Sequence, residues 1–333
     1  MSKNIRKKFL ITGSAGFFGS HIAEKALSMG HEVIAIDVFN SETTPVIEKE
    51  KNITILKKLS KEKQVKFKIY KADVRDGEVL EKIFKEESPN IIIHAAALAR
   101  DRDSMDIPLE FIQTNVVGSQ NIINAAMKLT SIEQFIVIST RSAVGQAASA
   151  STLMTEDELM RPINPYGATK LAMEGLFHSY YSDEKVPVKI CRMQPMYGPR
   201  CRHDMFVWRI LNSILTGEKI QKYGTGEGVR DWLYISDAVD AVFALINTEI
   251  LYDVFNIGVG EMTSTNDLIR ICEESTGKKA NIENIDAVRG DAIFAGIADC
   301  TRIAKTCGWM AKIKIQDGIK KTYNYMKDNK IKS

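Results

Sequence analysis

Short apolar runs recur along the chain, and stretches of helical spacing separate them. "KFLITG" (8–13), "HEVIAID" (31–37), "VKFKIYKADV" (65–74), "NIIIHAAA" (90–97), "QFIVIST" (134–140) and "VPVKICRM" (186–193) read as strands. "SHIAEKALSMG" (20–30) and residues 78–87, 108–128 and 165–183 read as helices. Strands that are apolar throughout and alternate with helices predict a parallel sheet covered on both faces, an α/β fold. Ligands of such sheets sit beyond the carboxyl ends of the strands. The residues just after each strand are therefore the ones expected to carry chemistry.

After the first strand comes "TGSAGFFG", with Gly13, Gly16 and Gly19. A strand, a glycine turn and a helix start form an anion site, because backbone N–H groups and the helix dipole face a diphosphate. Phe17 and Phe18 open that helix. Asp37 closes the second strand, where a carboxylate binds ribose hydroxyls and repels a 2′-phosphate. No Arg follows it immediately, so NAD is expected rather than NADP.

Composition narrows the picture mainly by exclusion. The chain has 333 residues, 44% hydrophobic and 26% charged, with a net charge of +3. That balance fits a globular protein and gives no reason to expect nucleic acid or membrane as partner. The Lys-rich stretches near 57–71 and 320–332 read as solvated surfaces. Cys191, Cys201, Cys272, Cys300 and Cys307 show neither metal spacing nor a disulfide pattern, so no metal is expected and a reducing cytoplasm is. "MSKNIRKKFLITG" is not expected to act as a signal peptide. No apolar run approaches the ~20 residues of a membrane helix.

"YGATKLAMEGLF" places Tyr166 and Lys170 four residues apart, on one helical face. An ammonium beside a phenol favours phenolate, which makes a general base of a residue that ordinarily keeps its proton.

"TGSAGFFG" together with "YGATK" resembles the extended short-chain dehydrogenase/reductase superfamily, and within it the nucleotide-sugar epimerases and dehydratases. The resemblance runs over nearly the whole chain. It implies a Rossmann doubly wound parallel sheet with a smaller carboxyl-terminal α/β lobe for the substrate. The expected division is 1–193 with 233–258 for NAD, and 194–232 with 259–333 for the nucleotide sugar. In "ADVRD" it implies Asp73, with Val74, at the adenine. "HAAA" supplies a nicotinamide-ribose wall from Ala95, Ala96 and Ala97, with Asn115 nearby. Thr140, Tyr166 and Lys170 become the catalytic set, and Tyr166 and Lys170 also touch the cofactor. Tyr166 takes a proton from a sugar hydroxyl while the carbon gives hydride to NAD. Arg230 and Arg289 fall to the diphosphate, and Asp291 to the nucleotide ribose. A homodimer through helices 108–128 and 165–183 is implied, with Leu171, Leu176 and Phe177 available to the interface or to the core.

The fate of the keto-sugar separates the subfamilies. Dehydratases resemble one another in an Asp-Glu pair after the catalytic Thr, and the decarboxylases carry a Glu two residues after it. Here those positions hold Arg141 and Ser142. A 4-epimerase with tightly held NAD needs no extra acid. A keto-sugar reductase, or an epimerase at another carbon, is the rival enzyme, and a non-catalytic dinucleotide sensor the rival of another class. "RCRHDMFVWRIL" resembles the "GRPDM" segment of uronate 4-epimerases, where Arg202 would hold a sugar carboxylate. Arg141 and Ser142 are further candidates on the substrate. Pro195 stands where most members have Asn or Thr, and proline brings no side-chain donor. The substrate is thus expected to be a UDP-uronate or a UDP-hexose.

Overall fold

In a computed structural model, which describes residues 6–147, 149, 152–184, 187–286 and 296–329, all six apolar runs become strands. They are β1 (Lys8–Thr12), β2 (Glu32–Asp37), β3 (Phe67–Lys71), β4 (Ile91–His94), β5 (Gln134–Thr140) and β6 (Val188–Met193). A seventh, β7 (Tyr252–Ile257), completes the sheet in the order β7-β6-β5-β4-β1-β2-β3. The pairs from β3 through β2, β1 and β4 to β5 are parallel. Strand order reverses about β1, so the switch point lies between β1 and β4. Leu10, Ile34, Ile92, Phe135 and Ile190 from five of these strands are buried in one core cluster.

The helices are α1 (Phe17–Ser28), α2 (Val46–Lys63), α3 (Gly77–Glu87), α4 (Gly118–Met127) and α5 (Pro165–Glu184). α1 packs on α2, and α3 on α4. α2 has no counterpart in the sequence reading. Its buried face combines Ile53 and Leu56 with Lys49 and Asn52, so no apolar period marks it. The single helix expected over 108–128 is instead three segments: Pro108–Phe111, a π-helical turn at Ile112–Val117, and α4. Such turns occur frequently at functional sites, and this one holds Asn115.

The chain divides into two compact units. The first comprises 1–139, 164–191 and 245–254, and the second 140–163, 192–244 and 255–333. The backbone passes from the first to the second after Ser139, Cys191 and Val254, within β5, β6 and β7.

The second unit has short strand pairs where the first has a sheet. Met196–Tyr197 pairs with Leu233–Tyr234, Lys219–Tyr223 with Asn281–Ile285, and Val229–Arg230 with Thr263–Ser264. α6 (Phe206–Thr216) precedes α7 (Ile235–Ile246), and α8 (Thr265–Thr276) precedes α9 (Ile315–Asp328). α6, α8 and α9 pack on one another. Val207, Ile210, Leu211 and Ile214 form the buried stripe of α6, and Gly217 ends it in the left-handed conformation. Ser264 caps α8 by accepting the Asp267 N–H.

Candidate active site

The glycine turn sits where the sequence puts it. Gly13 has φ +67, and a Cβ there would meet the Ala96 backbone at 2.9 Å. A Cβ on Gly19 would lie 2.2 Å from the Gly13 carbonyl oxygen. Only glycine allows this approach of β1, the turn and α1. Gly16 is the N-cap of α1, with no side-chain cap and no acidic residue in the first turn. The leading N–H groups of a helix have no intrahelical acceptor, so those of Phe17, Phe18 and Gly19 suit an anion. This donor set fits the diphosphate of a dinucleotide.

Around the switch point the hydroxyl of Thr12 accepts N–H groups from Ala95 and Ala96, each at 3.1 Å. That uses both lone pairs, so its proton goes to His94 Nδ1, 2.8 Å away. His94 is therefore the Nε2–H tautomer and donates to Ser119 Oγ at 3.0 Å. Ser119 donates in turn to the Asn115 carbonyl. Burial, aided by the Lys170 charge, pushes the imidazole down to about 3 and keeps it neutral. The Asn115 side chain receives the Leu98 N–H at 2.9 Å, and donates to the Leu98 carbonyl and to Thr169 Oγ1, both at 3.0 Å. Thr169 closes on the Tyr166 carbonyl at 2.8 Å. One directed chain of hydrogen bonds thus links the glycine turn, the "HAAA" wall and the helix of Tyr166.

Asn164 starts that helix by accepting the Gly167 N–H at 2.8 Å, with Pro165 in the first turn. Tyr166 is buried with Leu98 and Phe111, its ring edge-on to Phe111 at 6.2 Å. Lys170 is 3% exposed and donates to the Ile138 carbonyl of β5 at 2.8 Å. Burial pulls its ammonium down to about 8, against the charge of Glu174. Glu174 accepts from Ser139 of the same strand. Thr140 ends β5 and belongs to the second unit, where its oxygen accepts the Ser142 N–H at 3.2 Å. Its own proton remains to donate.

Arg141 is buried in a short 3-10 turn and donates to the Gly145 carbonyl at 2.6 Å. Arg202 forms a two-toothed ion pair with Asp204, at 3.0 and 2.8 Å. Arg230 donates to its neighbouring Val229 carbonyl at 2.7 Å. Asp73 is held below the usual carboxylate range: burial raises it, and Arg75 hydrogen bonds outweigh burial. Val74 packs against α4, where a Cβ on Gly118 would meet it at 2.6 Å. Arg289 and Asp291 lie outside the described residues. Phe177 belongs to the core, while Leu171 and Leu176 are half-buried.

Sequence reasoning passed over Lys49, Asn52, His94, Ser119 and Asp204. His94 lies inside the quoted "HAAA", at a strand end where chemistry was expected, and Asp204 inside the quoted "RCRHDM". Lys49 and Asn52 carried no such signal. Among the described residues no cluster of three metal-binding side chains occurs, and no helix is long and apolar enough to cross a membrane.

Residues 9–258 match the NAD dependent epimerase/dehydratase family, and the chain belongs to it. It is 31% identical to a UDP-glucuronate 4-epimerase of Thermodesulfobacterium geofontis, over 96% of each chain. Among solved structures it is similar to UDP-glucuronic acid 4-epimerase of Bacillus cereus in complex with UDP-glucuronic acid and NAD. There the identity is 30%, the TM-score 0.88, and coverage 97% of this chain and 99% of the other. It is likewise similar to a Thermus thermophilus UDP-glucose 4-epimerase complex with NAD, at 27% identity and TM-score 0.86, over 96% and 99% of the two chains.

Proposed function

We propose that the protein is an NAD-dependent 4-epimerase of nucleoside-diphosphate sugars, acting on a UDP-uronate or UDP-hexose through a transient 4-keto sugar. The observation that carries this reading is the catalytic helix. Tyr166 and Lys170 are both buried one turn apart, and no carboxylate follows Thr140 at 141 or 142. Bound NAD supplies the reversible hydride acceptor. Tyr166 holds and returns the proton of the sugar 4-hydroxyl, and the Lys170 ammonium favours the phenolate. Thr140 donates its remaining proton toward the sugar oxygen. Gly13, Gly16, Phe17, Phe18 and Gly19 hold the diphosphate of NAD. Asp37 holds the adenosine ribose, Asp73 and Val74 the adenine, and Ala95, Ala96, Ala97 and Asn115 the nicotinamide end.

On the substrate we assign Arg230, Arg289 and Asp291 to the nucleotide, and Arg141, Ser142 and Arg202 to the sugar. A UDP-glucuronate is favoured over UDP-glucose by the guanidinium of Arg202. We place the enzyme in the cytoplasm, which suits its free thiols. A homodimer through the 108–128 face is supported by exposed Leu109, Ile112 and Val117, which lie at helical spacing.

Mass spectrometry of cofactor released from denatured protein, with a panel of sugar nucleotides, is the test. Bound NAD, and interconversion of a 4-epimer pair without net NADH, are expected. Stoichiometric consumption of added NADH or NADPH would instead make it a reductase.

A further inference from the structure

The α2 helix buries two polar side chains three positions apart, Lys49 and Asn52, on one face. Both reach the adenosine side of the glycine turn. Asn52 Nδ2 donates to the Ala15 carbonyl at 2.8 Å. Lys49 Nζ donates to Asp37 Oδ1 at 3.0 Å and to Asn40 Oδ1 at 3.4 Å. Asp37 also accepts the Ala15 N–H on Oδ2 at 3.0 Å and the Phe39 N–H on Oδ1 at 2.9 Å. Phe39 holds φ 55, a left-handed conformation that a bulky residue adopts only when its surroundings impose it. The Lys49 and Asp37 side chains are 4% and 3% exposed. This is a buried ion pair, and such a carboxylate deprived of its cation is strongly penalised. Without that partner the side chain would swing away from its present orientation.

We propose that Lys49 is a positioning residue for the cofactor: it holds the Asp37 carboxylate in one orientation, and so sets the preference for NAD over NADP. The inference rests on the reading of Asp37 as the ribose-binding residue. Lys49 does not itself serve a 2′-phosphate, because its ammonium is buried and directed at Asp37 and Asn40.

Calorimetric titration of cofactor-free protein with NAD and with NADP tests this, using wild type, Lys49→Met, Lys49→Arg and Asp37→Asn. Wild type binds NAD more tightly. In Lys49→Met the ratio of the two affinities narrows by about ten-fold or more, chiefly through weaker NAD binding, as for loss of a charge-assisted contact. Lys49→Arg, which keeps the cation, restores most of the ratio. An unchanged ratio in Lys49→Met overturns the proposal even where stability falls, and a selective loss of NADP binding overturns it in favour of a phosphate contact. Should Lys49→Met not fold, Lys49→Gln reads the same ratio. Asp37→Asn separates the two layers: an unchanged ratio there refutes Asp37 as discriminator, independently of Lys49.

Discussion

The two units treat their buried polar groups differently. In the first, Thr12, His94, Ser119, Asn115 and Thr169 satisfy one another in a single direction, and Asp37 is matched by Lys49 and two N–H groups. Thr44 Oγ1 is an exception there. In the second, Gln194 Oε1, Trp232 Nε1 and Asn212 Oδ1 are buried without a protein partner. A buried polar atom of that kind is left to water or to a ligand. Closed networks rigidify their surroundings, which suits the roles proposed for Gly13, Asp37, Tyr166 and Lys170; those proposed for Thr140, Arg141, Ser142 and Arg202 fall in the second unit. Changes in the first unit should therefore weigh most on turnover, and a change at Arg202 on sugar choice.

The largest expected effect tests that division directly. Tyr166→Phe lowers turnover by about 100-fold or more, as for loss of a positioned acid-base group, while the NAD released on denaturation stays at the wild-type amount. Near-normal turnover in pure mutant protein would take Tyr166 out of the chemistry. Next comes His94→Leu, which leaves the buried Thr12 proton without an acceptor and takes one hydrogen bond from Ser119, and is expected to cost about 2–4 kcal/mol in urea unfolding. A cost below about 1 kcal/mol would mean that the network is not closed.

A pH profile follows. The Lys170 ammonium is lowered to about 8 by burial, so it is charged below that pH and neutral above it. Turnover should fall about ten-fold per unit on the alkaline side, and a flat profile to pH 10 contradicts the role of the charge. Smaller still is the effect on sugar choice. Arg202→Ala narrows the preference for UDP-glucuronate over UDP-glucose by about ten-fold, since Asp204 already engages the guanidinium and tempers the gain. Specificity constants for both sugars decide it, and a wild type that prefers UDP-glucose ends the uronate assignment. The smallest change belongs to one of the second unit's orphan acceptors. Gln194→Leu should alter unfolding free energy by less than about 1 kcal/mol, since an unmade hydrogen bond cannot be lost. A penalty as large as that of His94→Leu would erase the contrast between the units.

Strand and helix alternation, the glycine turn with Asp37, and the Tyr166–Lys170 pair were all readable along the chain. Each depends on spacing within one element or one turn, and local spacing is what a sequence records. Resemblance added Thr140 and the reasons against a dehydratase. α2 escaped because its buried face is half polar, and the π-helical turn around Asn115 because one extra residue per turn leaves little trace in periodicity. Arg202 was visible as a charge, yet its pairing with Asp204 was not. The same holds for His94, whose tautomer follows from the Thr12 hydroxyl of β1 and the Ala95 and Ala96 N–H groups beyond β4 that saturate it. Lys49 and Asp37 lie 12 residues apart in sequence and meet only because α2 folds back on the end of β2. Burial and the matching of one polar group to another are properties of packed elements, and packing alone paired these residues with their partners.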